Sequence, residues 1–275
     1  MTAPVPSSSG SPPLGEPPLG RALAIQARVI HALLMREILT RYGRHNIGFM
    51  WLFVEPMIFT LGVAALWTAT KSVHGSDLPI IAFAITGYSS VLLWRNMPAR
   101  CIDAIEPNRS LLFHCKVRVI EIFLSRILLE AVGATISLIV LAIFFIAIGQ
   151  MKPPEDVLQA VGGWLMLAWF GAALAIFLGA AAEKSETVHK LWHPLSYLLF
   201  PLSGAAFMMS VMPPQAQKVL AWLPMIHGVE YLREGFFGSK IEAIYDMGYM
   251  AVFNAGLTVL SLAILRIVSD EVIPE

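Results

Sequence analysis

The chain has 275 residues, 57% of them apolar and only 14% charged, and its 19 basic and 19 acidic residues cancel. Soluble domains average about 45–50% apolar and about 25% charged residues, so this composition excludes a disordered chain and argues against an ordinary soluble enzyme. With a mean hydropathy of +0.69 and no net field to gather a polyanion, the chain reads as an all-α polytopic membrane protein with no nucleic-acid partner.

Residues 1–20 hold six Pro, four Ser and three Gly, without an apolar run, Lys or Arg. That predicts a disordered tail and not a signal peptide, which needs a basic start and an apolar core, so insertion falls to the first span. Between residues 21 and 42, Leu23, Ala27, Ile30, Leu34 and Ile38 lie within about 80° of one another at 100° per residue, with Arg21, Arg28 and Arg36 opposite. This pattern predicts an amphipathic interfacial helix on the inner leaflet, its cations near anionic head groups. A soluble helix packed on a partner carries the same pattern.

A crossing helix needs about 20 mostly apolar residues, and six segments qualify: 48–70, 78–97, 127–149, 157–182, 192–212 and 244–268. In the second, Arg95 sits near the end and can snorkel outward. Fourteen Lys and Arg fall on the side of the termini and five on the other, which predicts both termini in the cytoplasm. In the outer segment 213–243, short apolar pieces are interrupted by Pro224, Gly228, Glu230 and Arg233. Pieces this short fit a re-entrant helix pair, whereas a plain loop would leave Trp222, Phe236 and Phe237 in water.

No phosphate-binding loop, zinc-protease motif, nucleophile elbow or dinucleotide fingerprint occurs, so no catalytic residue, metal or cofactor is expected. Cys101 and Cys115, fourteen apart and unpaired by motif, read as free structural thiols. Two carboxylates fall inside expected spans: Glu55 before Pro56, and Glu130 four residues after Arg126, on one helix face with it. They line a polar path or serve as a structural ion pair (Glu130) and an interface-level carboxylate (Glu55). Trp51, Trp67, Trp94, Trp164, Trp169, Trp192 and Trp222 fall mostly near span ends; an aromatic belt is the default, an aromatic path for sugar rings the sharper reading. In the fourth span, Gly171, Ala175 and Gly179 form a small-residue stripe for close packing. The connection 98–126, with Asp103, Glu106, Asn108, Arg109 and the Leu111-Leu112-Phe113 run, fits a short amphipathic helix facing a soluble partner or adhering to the membrane surface.

Arg36-Glu37, Arg41-Tyr42-Gly43, Gly48, Trp51 and Glu55-Pro56 resemble the N-terminal signature of ABC-2 type permeases that export polysaccharide. His193-Pro194, Tyr197, Pro201, Ser203-Gly204, Pro213-Pro214, Leu223-Pro224, His227, Glu230, Arg233 and Phe236-Phe237 resemble the later part of that family, most nearly its capsular export branch. The likeness runs from about residue 21 to the end; one departure is Leu223-Pro224, where many relatives carry Asn-Pro. It implies a homodimer of six-span subunits with two copies of a separate ATP-hydrolysing subunit, moving a lipid-linked polysaccharide, with periplasmic and outer-membrane export proteins as further candidate partners. It makes Asp103, Glu106, Asn108, Arg109 and Leu111 coupling candidates, and Arg36, Arg41 and Arg44 head-group contacts. Trp51, Glu55, Trp67 and Trp94 become path candidates, and His227, Glu230 and Arg233 outer-gate candidates. Export of O-antigen or teichoic acid is the sibling alternative; an ion-coupled carrier or a scaffold of a glycan-synthesis complex are alternatives of another class.

Overall fold

The computed structural model describes residues 19–42, 46–69, 78–114 and 117–272; the expected tail before Leu19, and Arg44 and Cys115, lie outside them. The described residues form ten α-helices, and no strand occurs among them: α1 Leu19–Tyr42, α2 Asn46–Ala69, α3 Ile80–Ile102, α4 Arg109–His114, α5 Val119–Ala147, α6 Val157–Lys184, α7 Glu186–Leu202, α8 Pro214–Leu220, α9 Pro224–Phe237 and α10 Met247–Val272. Four stretches are long and apolar enough to cross a membrane: Met50–Ala69, Val119–Ala147, Val157–Lys184 and Met247–Glu271.

Helix α6 is the centre of the fold, and its small residues are why. A methyl group at Gly163 would lie 2.8 Å from the Leu232 nitrogen of α9, one at Gly171 2.8 Å from Trp94 Cα of α3, and one at Gly179 3.0 Å from Cys101 Cβ. Without side chains there, α3 and α9 approach α6 backbone to backbone, as the small-residue stripe predicted for Gly171, Ala175 and Gly179. Side-chain bonds complete the contacts: Trp164 Nε1 donates to Thr135 Oγ1 of α5 at 2.9 Å, and Trp169 Nε1 to Thr258 Oγ1 of α10 at 3.0 Å. Asp156 caps the start of α6 by accepting from the Gln159 backbone N–H at 2.9 Å.

Pro56 lacks the N–H that would bond the Leu52 carbonyl four residues back. That carbonyl rests against α5 at Gly133, where a methyl group would come within 2.7 Å of it. Thr60 Oγ1 donates to the Pro56 carbonyl at 2.9 Å. The main core joins α3, α5, α6 and the inner face of α9. A second cluster at the N-terminal end of α3 gathers Phe83, Ile85, Phe145, Met208, Phe236 and Phe237, with Trp67 packed on it.

Several boundaries differ from expectation. The fifth segment was read as one run to residue 212, but α7 ends at Leu202. Gly204 then takes φ +78, a left-handed turn that glycine permits, and apolar residues beyond it belong to a loop and a short 3-10 turn, Met209–Val211. Helix α5 starts at Val119, eight residues before the expected third span, with the Arg118 N–H bonded to the Glu121 carboxylate at 2.9 Å. Within 98–126 the amphipathic element is only the 3-10 turn Glu106–Asn108 followed by α4. Phe236 and Phe237 are buried by the protein itself, so of the three outer aromatics only Trp222 is exposed.

On helix α1, Val29 and Leu33 pack on the main core and Glu37 follows four residues on, while Leu23, on the stripe expected to face lipid, is 65% exposed. Polar ties described next select this orientation, and the outward Leu23 remains free to enter lipid.

Candidate functional site

At the C-terminal end of α3, charged side chains from four helices meet. Arg41 of α1 pairs with Glu130 of α5 and reaches Glu55 of α2 at 3.5 Å; Arg100 of α3 lies 3.1 Å from Glu130. Arg126 is 3.3 Å from Glu37 and donates to the carbonyls of Arg100 at 2.7 Å and Asp103 at 3.0 Å. The expected Arg126–Glu130 pair is therefore not made. Glu130 is instead held by two arginines distant in sequence, whose two positive charges offset the cost of burying the carboxylate.

The segment between α3 and α5 is tied down from three directions. Arg36 of α1 bonds the Asn108 side chain, Asp103 lies 2.6 Å from His189 of α7, and Arg109 lies 3.3 Å from Glu183 of α6. Asn108 is only 3% exposed and donates to the Ala104 carbonyl at 2.7 Å, so it braces the segment and offers no docking surface. Leu111 packs on the core, which corrects its expected outward role; the apolar side chain presented there is Phe113, 57% exposed. Glu106 and Arg109 are exposed and paired to each other at 2.8 Å. Arg36 and Arg41 are likewise engaged within the protein and are not free head-group ligands.

Beside this cluster a cleft of about 410 Å³ opens between α2, α3 and α7. Glu55, Phe59, Tyr88, Arg95, Asn96 and His193 are among its walls, with Ser196 and Tyr197. The Arg95 guanidinium carbon lies 4.4 Å from the Tyr197 ring centroid, and Tyr88 meets Phe200 edge to face at 5.5 Å. Of the expected path residues, Glu55 lines this cleft and Trp51, one turn before it on α2, is 50% exposed. Trp67 sits toward the other end of α2, tilted over Phe83 at 6.3 Å. Trp94 is a correction: it is 0% exposed, wedged between α3 and α6 at Gly171, and lines no open face. Arg95 and Tyr197 were missed as site residues; the signal was present in His193, Ser196 and Tyr197 at i, i+3 and i+4 on one face of α7.

At the N-terminal end of α3, His227, Glu230 and Arg233 do come together, one turn apart along α9. Arg233 is 0% exposed; it donates to the carbonyls of Gly204 at 2.6 Å, Phe207 at 2.9 Å and Ala205 at 2.5 Å, and lies 3.7 Å over the Phe83 ring. Glu230 accepts from the backbone N–H groups of Met209 at 3.0 Å and Ile244 at 3.3 Å. His227 Nδ1 accepts from the Asp246 N–H at 2.9 Å, which fixes the neutral tautomer with its proton on Nε2, facing the Ala221 carbonyl at 2.9 Å. These three side chains thus splice α9 to the loops on either side of it. Nearby, Glu234 accepts from Tyr245 at 2.6 Å and pushes that phenol up to about 12.

No group of His, Cys, Asp and Glu able to hold a metal ion occurs among the described residues. The ABC-2 type transporter profile matches residues 28–237, from within α1 to the end of α9. The chain belongs to the ABC-2 type transporter family. It is 42% identical to the capsule polysaccharide export inner-membrane protein BexB of Haemophilus influenzae and to CtrC of Neisseria meningitidis serogroup B, in each case over 92% of this chain and 96% of the relative. It is 24% identical to the polysialic acid transport protein KpsM of Escherichia coli over 88% of this chain and 94% of that protein. The matched region contains the α2–α3–α7 cleft and the side chains of His227, Glu230 and Arg233.

Proposed function

We propose that this ABC-2 chain is the membrane-spanning permease subunit of an ATP-driven exporter that moves lipid-linked capsular polysaccharide across a bacterial inner membrane. The observation that carries the proposal is the near full-length likeness, 42% identity over 92% of the chain, to two proteins named for capsule polysaccharide export at the inner membrane. The sequence has no phosphate-binding loop, so ATP hydrolysis falls to a separate subunit, and the proposed assembly is two permeases above two such subunits.

In this reading six segments cross: the four apolar helices, α3, and α7 completed by the loop after Leu202. Helix α3 has 23 residues, about 35 Å at about 1.5 Å each, sufficient for about 30 Å of hydrocarbon. The basic-residue asymmetry puts both termini in the cytoplasm. Helices α8 and α9 form the re-entrant pair; irregular backbone at membrane depth is tolerated where protein surrounds it, and most α9 side chains are buried.

A long hydrophilic polymer cannot enter hydrocarbon unaided, so it follows the polar and aromatic surface near Trp51, Glu55 and the cleft, between two copies of the chain. Glu106, Arg109 and Phe113 face the ATP-hydrolysing subunit, and the ties to α1, α6 and α7 carry its movement to the spans. Arg21 and Arg28, both exposed on α1, take the head-group role in place of Arg36 and Arg41. The His227–Glu230–Arg233 splice keeps the outer end closed until the spans rearrange.

The test is deletion of the gene in its host, with surface polysaccharide stained and intracellular polymer measured. Loss of surface polymer with accumulation inside, reversed by the wild-type gene and poorly by a Trp51→Ala, Glu55→Ala double variant, is the expected result. Unchanged surface polysaccharide in the deletion strain refutes the proposal.

A further inference from the structure

The charged side chains lining the α2–α3–α7 cleft are not equivalent. Arg100 lies 3.1 Å from Glu130, Asp103 lies 2.6 Å from His189, and Glu55 lies 3.5 Å from Arg41. Arg95 is the one Arg, Asp or Glu of the lining with no acidic or basic side-chain partner within 4 Å among the described residues. Its Nε is closed off from solvent and has no hydrogen-bond partner. The side chain as a whole is only half-buried, so what it offers the cleft is the rest of its guanidinium, a cation without a counter-charge.

The geometry around Arg95 says what kind of ligand. The Arg95 guanidinium carbon lies over the Tyr197 ring, 4.4 Å from its centroid. That cation–π contact uses no N–H group, so N–H donors stay available to an oxyanion, which a guanidinium fork can grip with two parallel bonds where an ammonium makes a point contact. Asn96 and Ser196 add neutral polar groups around it, and Phe59 offers an apolar face to the carbon side of a sugar ring. The volume, about 410 Å³, lies within the range of small-ligand sites.

We propose that Arg95, set over the Tyr197 ring, is an oxyanion-binding residue that makes this cleft select acidic glycans or anionic head groups over neutral sugars. The shared chemistry is a carboxylate or phosphate group, supplied by an acidic sugar of the polymer or by a lipid phosphate. Taking that ligand for cargo rests on the export reading; the binding itself does not.

The experiment uses the full chain in phosphatidylcholine nanodiscs, titrated with a tetramer of sialic acid and with maltotetraose. A parallel set of nanodiscs contains added phosphatidylglycerol, with the retained lipid measured by mass spectrometry. The sialic acid tetramer binds and maltotetraose does not if the polymer is the source; phosphatidylglycerol is retained above its bulk fraction if the lipid is. In whichever arm binds, Arg95→Ala weakens binding about tenfold, the scale of one lost charge-assisted bond, and Arg95→Lys recovers part of it. Tyr197→Leu, which leaves the charge and removes the ring, weakens binding less than Arg95→Ala and guards against a variant that simply misfolds. Equal binding by Arg95→Ala and wild type in both arms, or equal binding of maltotetraose, overturns the proposal. In the deletion strain, full export by Arg95→Ala rejects Arg95 and leaves the export reading standing. Failure of the wild-type gene to restore export, with Arg95-dependent binding intact in nanodiscs, rejects the export reading and leaves the site standing.

Discussion

Replacing Arg233 with Met removes the donor that ties α9 to the loop after α7. Methionine keeps an unbranched apolar side chain in the space but strips the hydrogen bonds from the carbonyls of Gly204, Ala205 and Phe207, at 2.6, 2.5 and 2.9 Å. It also leaves Glu230, 0% exposed and one turn away on α9, without its neighbouring positive charge. Breaking a buried charged arrangement by removing one partner costs about 3–5 kcal/mol, a large share of the about 5–15 kcal/mol by which folded proteins are stable. For a chain of this size that is a fall of about 10 °C in Tm. Thiol labelling reads it out. In a Cys115→Ser background Cys101 is the sole cysteine, fully buried, and becomes reactive only as the protein unfolds. Arg233→Lys keeps the charge but loses the fork and the plane over Phe83, and falls by an intermediate amount. Gly87→Ala puts a methyl group 2.3 Å from Arg233 Nη2 and 2.4 Å from the Ala205 carbonyl, so it lowers Tm too, and by less in the Arg233→Met background because both act on one contact. A Tm for Arg233→Met within about 2 °C of wild type, less than 1 kcal/mol, would refute the idea that these bonds hold α9 to that loop.

Glu130→Gln removes the shared partner of Arg41 and Arg100, weakening the hold on α1 by about 1–3 kcal/mol; trypsin then cuts within α1 several-fold faster, and an unchanged rate removes Glu130 as the anchor. Phe113→Asp abolishes co-purification of the ATP-hydrolysing subunit without changing Tm, whereas Leu111→Ala lowers Tm and keeps the partner; the reverse pattern restores the original assignment. The Tyr245 phenol, raised to about 12 by donating to Glu234, stays neutral past pH 10. Its contribution to stability is present below pH 10 and lost as pH rises through about 12, so ultraviolet titration of wild type against Tyr245→Phe shows a late-ionising phenol. A difference spectrum centred near pH 10 contradicts that bond.

What the sequence made legible was whatever depends on near neighbours. The apolar runs of α2 and α6 were bounded to within two residues, and the small-residue stripe of α6 packs as its spacing implied. Composition failed at α7, because the residues after Leu202 stay apolar while the backbone turns at Ser203-Gly204, and hydropathy carries no record of a positive φ. Partner choice among charges was the least legible. Arg126 and Glu130 satisfy the local pairing rule, yet Arg41, 89 positions away in sequence, takes the carboxylate. Trp94 failed as a path residue for a similar reason: whether a tryptophan faces lipid, polymer or core was decided by Gly171 on another helix. His227, Glu230 and Arg233 share one helix, and their bonds run to backbone carbonyls and amides that no side-chain pattern announces.

The glycines of α6 have a mechanical consequence. Gly163, Gly171 and Gly179 recur every eight residues, so the first and last lie about 24 Å apart along the helix, at about 1.5 Å per residue. At each point α6 contributes bare backbone, and the neighbour meets it directly: Leu232 of α9 at Gly163, Trp94 of α3 at Gly171, and Phe123 and Cys101 at Gly179. Such a helix behaves as a stiff rod clamped at three points. A tilt imposed where α6 meets Cys101 is carried along the helix to where it meets Leu232 in α9, so the two ends of the core move together.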